Sequence, residues 1–351
     1  MRELAIGTPE NDERCMNAAA SFGQRVAPGV RVTFEAERVI DRVKSAAHET
    51  VVIDNASFGR TIMIDGAVRT SNADEFIYHE MMSHVPMLAH GDVERVLIVG
   101  GADCGLAEEV LKHHGVRTLV QVEADPLMVK LARSYFAGIS DRAFNDGRFE
   151  LRSANGSEFV ASTEERFDLI LVALADPGGT TLSPLTEEFL RDARGCLRSG
   201  GLLVARLAVP FLHPLEFSAA VNRLSGAFSF VAPYLVPVPS IFGGPVAIGW
   251  ASNILGPDTP GLDVLAARFA DARIETHYYT PEVHRASFAL PRYIKDAVSV
   301  ATRPDVHCER RAPEHALSGT SGLVTRAAGE PTKERSMLAG LSDEGGRSNA
   351  F

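Results

Sequence analysis

Basic residues are in short supply. The chain carries 35 Lys and Arg against 45 Asp and Glu, for a formal net charge of −10 and a pI near 5.6. A protein that displaces counterions from nucleic-acid phosphates needs a basic face, so nucleic acid is not expected as a partner. Long apolar runs are missing as well. None reaches the roughly 18 residues of a membrane-spanning helix, and no basic segment with a signal-like core opens the sequence. A cytoplasmic protein without membrane contact is expected. Cysteine is sparse: Cys15, Cys104, Cys196 and Cys308 lie far apart and form no C-x-x-C pair. That argues against a zinc knuckle or a disulfide framework, and no metal is expected. His79-Glu80 with His84 resembles a zinc-protease motif, but its i, i+5 spacing takes the second His off the helix face.

What is present suits a globular fold. With 351 residues, 45% hydrophobic and 23% charged, the chain can bury one large core or two modest ones. Residues 1–30 mix Gly, Pro, Asn and Ala without a clean period and read as a flexible arm with a short helix. From Val32 to Thr70 three β-rich runs, VTFEAERVI, ETVVIDNASFG and RTIMIDGAVRT, are separated by Asn55, Gly59 and the hairpin pair Asp65-Gly66. A small antiparallel β-domain over 31–72 follows. Residues 74–89 show apolar positions at helical spacing behind an acidic first turn.

From Arg95 the pattern alternates: VLIVG with GLAEEVLKHH, TLVQVEA with PLMVKLARSYF, RFELRSA with GSEFVAST, DLILVAL with TEEFLRDARGCL, and LLVARLA with PLEFSAAVNRLSG. Such alternation predicts βαβ units and a mostly parallel sheet covered on both faces. FVAPYLVPV and PVAIGWAS read as strands added at one edge, and a last short helix is expected near Tyr293–Val298. The fold class is therefore α/β: a seven-stranded, Rossmann-type core over 73–301 behind the β-domain. Residues 302–351, rich in Arg, Glu, Ser and Gly, have the composition of a disordered tail.

The stretch Glu94 to Gly105, ERVLIVGGADCG, is the feature around which a ligand site is expected. An apolar strand enters a glycine turn that feeds a helix, which brings backbone and free N–H groups close to a ligand. Glu123 ends the next strand 22 residues after Gly101, where such folds place an acid on ribose hydroxyls. Asn155 and Gly156 follow the third strand, where an amide and a close backbone can read an adenine edge. Asp103 in the turn would repel a pyrophosphate and suits a cation, such as the amine of an adenosyl sulfonium.

These residues, with the blocks IDGAVRTSNADEFIYHEMMSHVPM, VEAD, ANGSEF, FDLILVALADP, LTEEF, PFLH and YYTPEVHRASFALPRYIK, resemble the spermidine synthases, or polyamine aminopropyltransferases, from about Val32 to Val298. The resemblance implies an N-terminal β-domain, a methyltransferase-like core, and a homodimer or homotetramer. It also implies decarboxylated S-adenosylmethionine as co-substrate, attacked by a small-molecule amine at the carbon next to sulfur with release of methylthioadenosine. On the family pattern Asp103 holds the aminopropyl amine, Glu123 the ribose, and Asn155 with Gly156 the adenine. Gly101 belongs to the glycine turn, and Tyr78 and His79 face the acceptor.

The reacting end departs from that pattern. The family reads D-S-T-D-P or similar after the fourth strand, its first Asp being the base; here Ala173-Leu174-Ala175-Asp176-Pro177 leaves only Asp176. Arg69 replaces a family Gln, His48 aligns with another, Thr180 replaces a Pro, and the acceptor-channel aromatic falls at Phe242 or Gly243. Losing a positioned base costs on the order of 100- to 10,000-fold in rate. A guanidinium grips a carboxylate bidentately, so Arg69 points to intact S-adenosylmethionine as donor, with Arg69 on its α-carboxylate and Asp103 or a neighbour on its α-amine. The expected chemistry is then transfer of a 3-amino-3-carboxypropyl chain, or cyclisation to 1-aminocyclopropane-1-carboxylate or azetidine-2-carboxylate. Asp176, Tyr78 and His79 are the candidate catalytic bases. Aminopropyl transfer to an unusual amine, a non-catalytic adenosyl-binding role and methyl transfer are the alternatives. Cys104 reads as a small residue fitting a tight turn, and His113-His114 as cations at a helix end.

Overall fold

Strand formation begins earlier than the composition suggests. In the computed structural model, which describes residues 20–44, 48–173 and 185–301, Ala20–Ala27 forms β1 and pairs antiparallel with β2 (Val30–Ala36). The expected arm over 1–30 is corrected there, while 1–19 lie outside the described residues. Phe22 and Val26 supply the buried, strand-spaced positions of β1. Gly23 and Gln24 interrupt the apolar signal and hide it. A four-stranded antiparallel sheet follows, in the order β3 (Arg38–Lys44), β4 (Glu49–Asn55), β5 (Gly59–Ile64) and β6 (Ala67–Ser71). The Asp65-Gly66 turn has φ of 49° and 79°, the left-handed pair that a two-residue hairpin requires.

Both faces of that sheet are covered, which explains the continuous runs VVI and IMI. Val51, Ile53 and Met63 pack with Phe22 and Phe34 on one side. Val52, Ile62 and Ile64 turn to the other side, against Met128, Leu131 and Phe136.

The second part begins with α1 (Glu75–His90) and continues β7 (Arg95–Gly100), α2 (Gly105–Leu111), β8 (Thr118–Glu123), α3 (Pro126–Tyr135), α4 (Ala137–Asn145), β9 (Phe149–Ser153), α5 (Gly156–Ser162), β10 (Phe167–Ala173), α6 (Glu187–Gly195), β11 (Leu197–Arg206), α7 (Pro214–Ala227), β12 (Phe230–Val236), β13 (Val246–Ser252), α8 (Leu262–Ala272), α9 (Pro281–Ser287) and α10 (Arg292–Ala301). The sheet order is β12-β13-β11-β10-β7-β8-β9, parallel except for β13. Val96 and Ile98 face a core shared with α1 and α2, and Leu97 and Val99 face one shared with α5, α6 and α7. From β7 the chain winds one way to β8 and β9 and the other way to β10 and β11. Ligand crevices of open α/β sheets form at such a reversal. Helices α4, α8 and α9 were not expected from the apolar pattern. The tail over 302–351 lies outside the described residues.

Two buried polar groups fix elements around this crevice. Glu80, fully buried on α1, accepts the backbone N–H groups of His277, Tyr278 and Tyr279 at 2.7, 2.8 and 2.7 Å. His84 Nδ1 bonds His113 Nε2 at 3.0 Å, and its Nε2 stands 3.1 Å from the Glu109 carboxylate. Burial, reinforced by the neighbouring His84, depresses His113 to about 3. Its ring is therefore neutral at pH 7, and the expected cation at a helix end is corrected: His113 serves as a buried hydrogen-bonding group.

Candidate functional site

The reversal point opens on a cavity of about 260 Å³ between the β6–α1 corner, the ends of β7, β8, β10 and β11, and the loop after β12. Gly100 and Gly101 end β7 with φ of 84° and 75°, a conformation open to glycine. Gln121, the buried polar residue of β8, donates to the carbonyls of Gly100 at 3.0 Å and Gly101 at 2.5 Å and so braces the turn from below. Cys104 takes φ 59° at the entry to α2 and is fully buried. Burial, with Asp103 and Glu123 nearby, raises its thiol well above the ordinary range, which fits a packing residue rather than a nucleophile.

Asp103 leaves this turn toward the cavity. Its carboxylate accepts the Thr70 hydroxyl and the Gly105 N–H (3.2 Å) and stands 3.4 Å from His79 Nε2. On the other side of the ring, His79 Nδ1 lies 2.5 Å from Glu75, one helical turn earlier on α1. A Cβ on residue 105 would stand 2.5 Å from the His79 ring, so Gly105 is what lets the imidazole reach Asp103. Burial opposes a charge on His79, but the two flanking carboxylates outweigh it and hold its pKa well above the ordinary imidazole value. Burial likewise pushes Asp103 up, yet His79, Thr70 and the Gly105 N–H hold it down at about 2. The three groups form a carboxylate–imidazolium–carboxylate row at the cavity wall.

Tyr78 presents a half-buried ring to the same cavity, and its hydroxyl is buried without a hydrogen-bond partner among the described residues. Burial pushes that hydroxyl up to about 12, with Arg206 opposing and Asp103 adding to the rise. It therefore stays an O–H donor at neutral pH. Glu123 lines the cavity at the end of β8. Burial raises its carboxyl while the N–H groups of Asp125 and Ala124 hold it back, the first at 2.9 Å. His48 crosses from the β-domain to within 3.3 Å of Asp125, which caps α3. Arg69 lines the cavity too. Asp74, almost fully buried, ties the corner together by accepting from the hydroxyl of Ser71 (2.7 Å) and from the N–H (2.6 Å) and hydroxyl (3.1 Å) of Ser240.

Of the residues expected from sequence, His48, Arg69, Tyr78, His79, Gly101, Asp103 and Glu123 meet at this one cavity. Asn155 and Gly156 are not among its described lining residues. The Asn155 side-chain oxygen accepts the N–H groups of Ser157 (2.9 Å) and Glu158 (3.3 Å), capping α5. A Cβ on Gly156 would lie 2.3 Å from Val99, so this glycine serves the packing of α5 onto β7. Phe242, expected near the acceptor channel, packs instead edge-on against Phe34 at 5.7 Å, and Ile241 is the lining residue. Asp176 and Thr180 lie outside the described residues. Sequence reasoning passed over Thr70, Glu75, Gln121 and Arg206. Signals for three of them exist: Glu75 is i−4 from His79, Gln121 is a lone amide in an apolar strand, and Arg206 ends one.

The segment 75–257 matches the spermine/spermidine synthase domain. The chain is 37% identical over 279 residues to polyamine aminopropyltransferase 1 of Pseudomonas aeruginosa, covering 80% of this chain and 98% of that protein. It is 40% identical over 281 residues to polyamine aminopropyltransferase of Hamiltonella defensa, covering 80% and 94%. The chain belongs to the spermine/spermidine synthase family. Its fold agrees with the crystal structure of spermidine synthase from Thermotoga maritima at a TM-score of 0.72 and 31% identity, over 80% of this chain and 95% of that one. A spermidine synthase in complex with the transition-state analogue AdoDATO gives 0.74 and 31%, over 83% and 99%. The family segment contains Glu75, Tyr78, His79, Asp103, Glu123 and Arg206, whereas His48, Arg69 and Thr70 come from the preceding β-domain.

Proposed function

We propose that this member of the family catalyses displacement at the propyl carbon next to sulfur of an adenosyl sulfonium, with an amine of a small molecule as nucleophile. The amine lone pair forms the new C–N bond, and the C–S pair stays on sulfur as methylthioadenosine leaves. The observation that carries this reading is Asp103, anionic down to about pH 2, at the head of the glycine turn and in one cavity with Glu123. Asp103 would hold the ammonium of the donor chain and Glu123 the ribose. Displacement spreads the sulfonium charge from sulfur toward the incoming nitrogen, so the apolar lining of Ala173, Leu106 and Ile241 favours the transition state over the localised cation. The names of the relatives support an aminopropyl chain, and so decarboxylated S-adenosylmethionine, as the group transferred. With His79 held as an imidazolium and Tyr78 as a phenol, Asp176 is the remaining candidate for the proton of the attacking amine.

A second reading is favoured by Ala173, an apolar residue at the end of β10, together with Arg69 in the cavity. There the donor is intact S-adenosylmethionine, and the chain transferred or cyclised keeps its carboxylate. Product analysis by mass spectrometry separates the two. Decarboxylated S-adenosylmethionine with putrescine should yield spermidine under the first reading. S-adenosylmethionine should yield a carboxylated amine or a cyclic amino acid under the second. The absence of product from both donors would overturn both.

The exposed side chains of Phe211 and Leu215 offer apolar surface for a homodimer or homotetramer. Among the described residues no helix is long and apolar enough to cross a membrane, which suits a cytoplasmic enzyme.

A further inference from the structure

One cation in the cavity has no function in the reading above. Arg206 ends β11 beside Ala173 at the end of β10, since Val172 pairs with Ala205 in the parallel register. Its guanidinium carbon stands 6.0 Å from the centre of the Tyr78 ring. The acids that line the cavity are committed elsewhere. Glu75 and Asp103 flank His79, Asp74 holds Ser71 and Ser240, Asp125 caps α3 and meets His48, and Glu123 accepts the Asp125 N–H. Among the described residues none of them forms an ion pair with Arg206, whereas Arg69 has a partner of its own.

Tyr78 links this cation to the acidic row. Its hydroxyl is buried, has no hydrogen-bond partner among the described residues, and feels both Arg206 and Asp103. The cavity is therefore bipolar, negative at Asp103 and positive at Arg206, and the Tyr78 O–H donor lines the same space. A guanidinium fork and a phenol offer donors only, in the geometry that a carboxylate accepts. A diamine, cationic at both ends, would bring an ammonium toward Arg206 across an apolar wall, where repulsion is poorly screened.

We propose that Arg206 and the Tyr78 hydroxyl form a carboxylate-binding subsite, and that the site takes an α-amino-carboxylate zwitterion with its carboxylate at Arg206. The inference rests on the sulfonium-displacement reading. The carboxylate has two sources, the donor (S-adenosylmethionine) or the acceptor (an amino acid with a terminal amine, such as ornithine).

Calorimetric titration of wild-type protein and Arg206→Gln distinguishes these. One arm compares S-adenosylmethionine with decarboxylated S-adenosylmethionine; the other compares ornithine with putrescine in the presence of methylthioadenosine. In the wild type the carboxylated member of one pair should bind roughly 10- to 100-fold more tightly, as expected for hydrogen bonds to a charged partner. Arg206→Gln should erase that preference while leaving methylthioadenosine affinity unchanged. A preference in the first arm assigns the carboxylate to the donor, and in the second to the acceptor. Tyr78→Phe should narrow the same preference, giving a second variant should Arg206→Gln fold poorly. Methylthioadenosine binding without a carboxylate preference in either arm overturns this proposal alone. Failure of the wild type to bind any adenosyl ligand overturns it together with the displacement reading.

Discussion

Asp103→Asn is expected to lower kcat/KM for the adenosyl sulfonium by on the order of 100- to 1,000-fold, the usual scale for a preorganised charged group in a water-poor site. Asparagine keeps the shape and can still meet Thr70 and the Gly105 N–H, so the loss isolates the charge. His79 would lose one of its two flanking carboxylates and its pKa would fall toward the ordinary imidazole range. Stability should respond in a defined pH window. The depressed pKa of Asp103 stabilises the fold above the ordinary carboxylate value of about 4, and this is lost as pH falls toward about 2. The raised pKa of His79 stabilises it below about 6.5, and this is lost as pH rises through the elevated folded value. The gap between wild type and Asp103→Asn should therefore be widest between about pH 4 and 6.5 and shrink on either side. Urea unfolding at three pH values reads this directly. A variant within threefold of wild-type activity would remove Asp103 from the site.

The largest stability effect is expected away from the cavity, at Glu80. This carboxylate is fully buried and satisfies three consecutive backbone N–H groups just before α9. Glu80→Ala strands all three donors and opens a void, which costs about 3–5 kcal/mol, or on the order of 10 °C in Tm. Glu80→Gln keeps one acceptor oxygen and should fall between. Differential scanning calorimetry gives both values. A Tm within 2 °C of wild type for Glu80→Ala would mean that the segment 277–279 is not held through Glu80.

How much of this was legible in the sequence follows from the range of each interaction. The β7 glycine turn, the Asp65-Gly66 hairpin and the βαβ alternation are short-range signals, since period and turn chemistry are written within a dozen residues, and the structure has them where expected. β1 was missed because Gly23 and Gln24 break its alternation, and α8 because Leu265 is its one fully buried position. The site was legible as a set of chain positions but not as a set of contacts. Asp103 and Glu123 stand at strand ends, where fold topology assigns them a crevice. Nothing in the chain order tells that Thr70, 33 residues before Asp103, donates to it, or that His79 sits between Glu75 and Asp103. Asn155 carries a second, local role: the same position after β9 is the N-cap of α5, which uses the side-chain oxygen.

The central claim, displacement at the propyl carbon of an adenosyl sulfonium, is tested most directly by the nucleoside released on turnover. Purified protein supplied with S-adenosylmethionine and decarboxylated S-adenosylmethionine in separate reactions, each with and without amine, should release methylthioadenosine in at least one of them, in step with the alkylated or cyclised product. Release of S-adenosylhomocysteine with a methylated acceptor, or of no nucleoside from either donor, would contradict it.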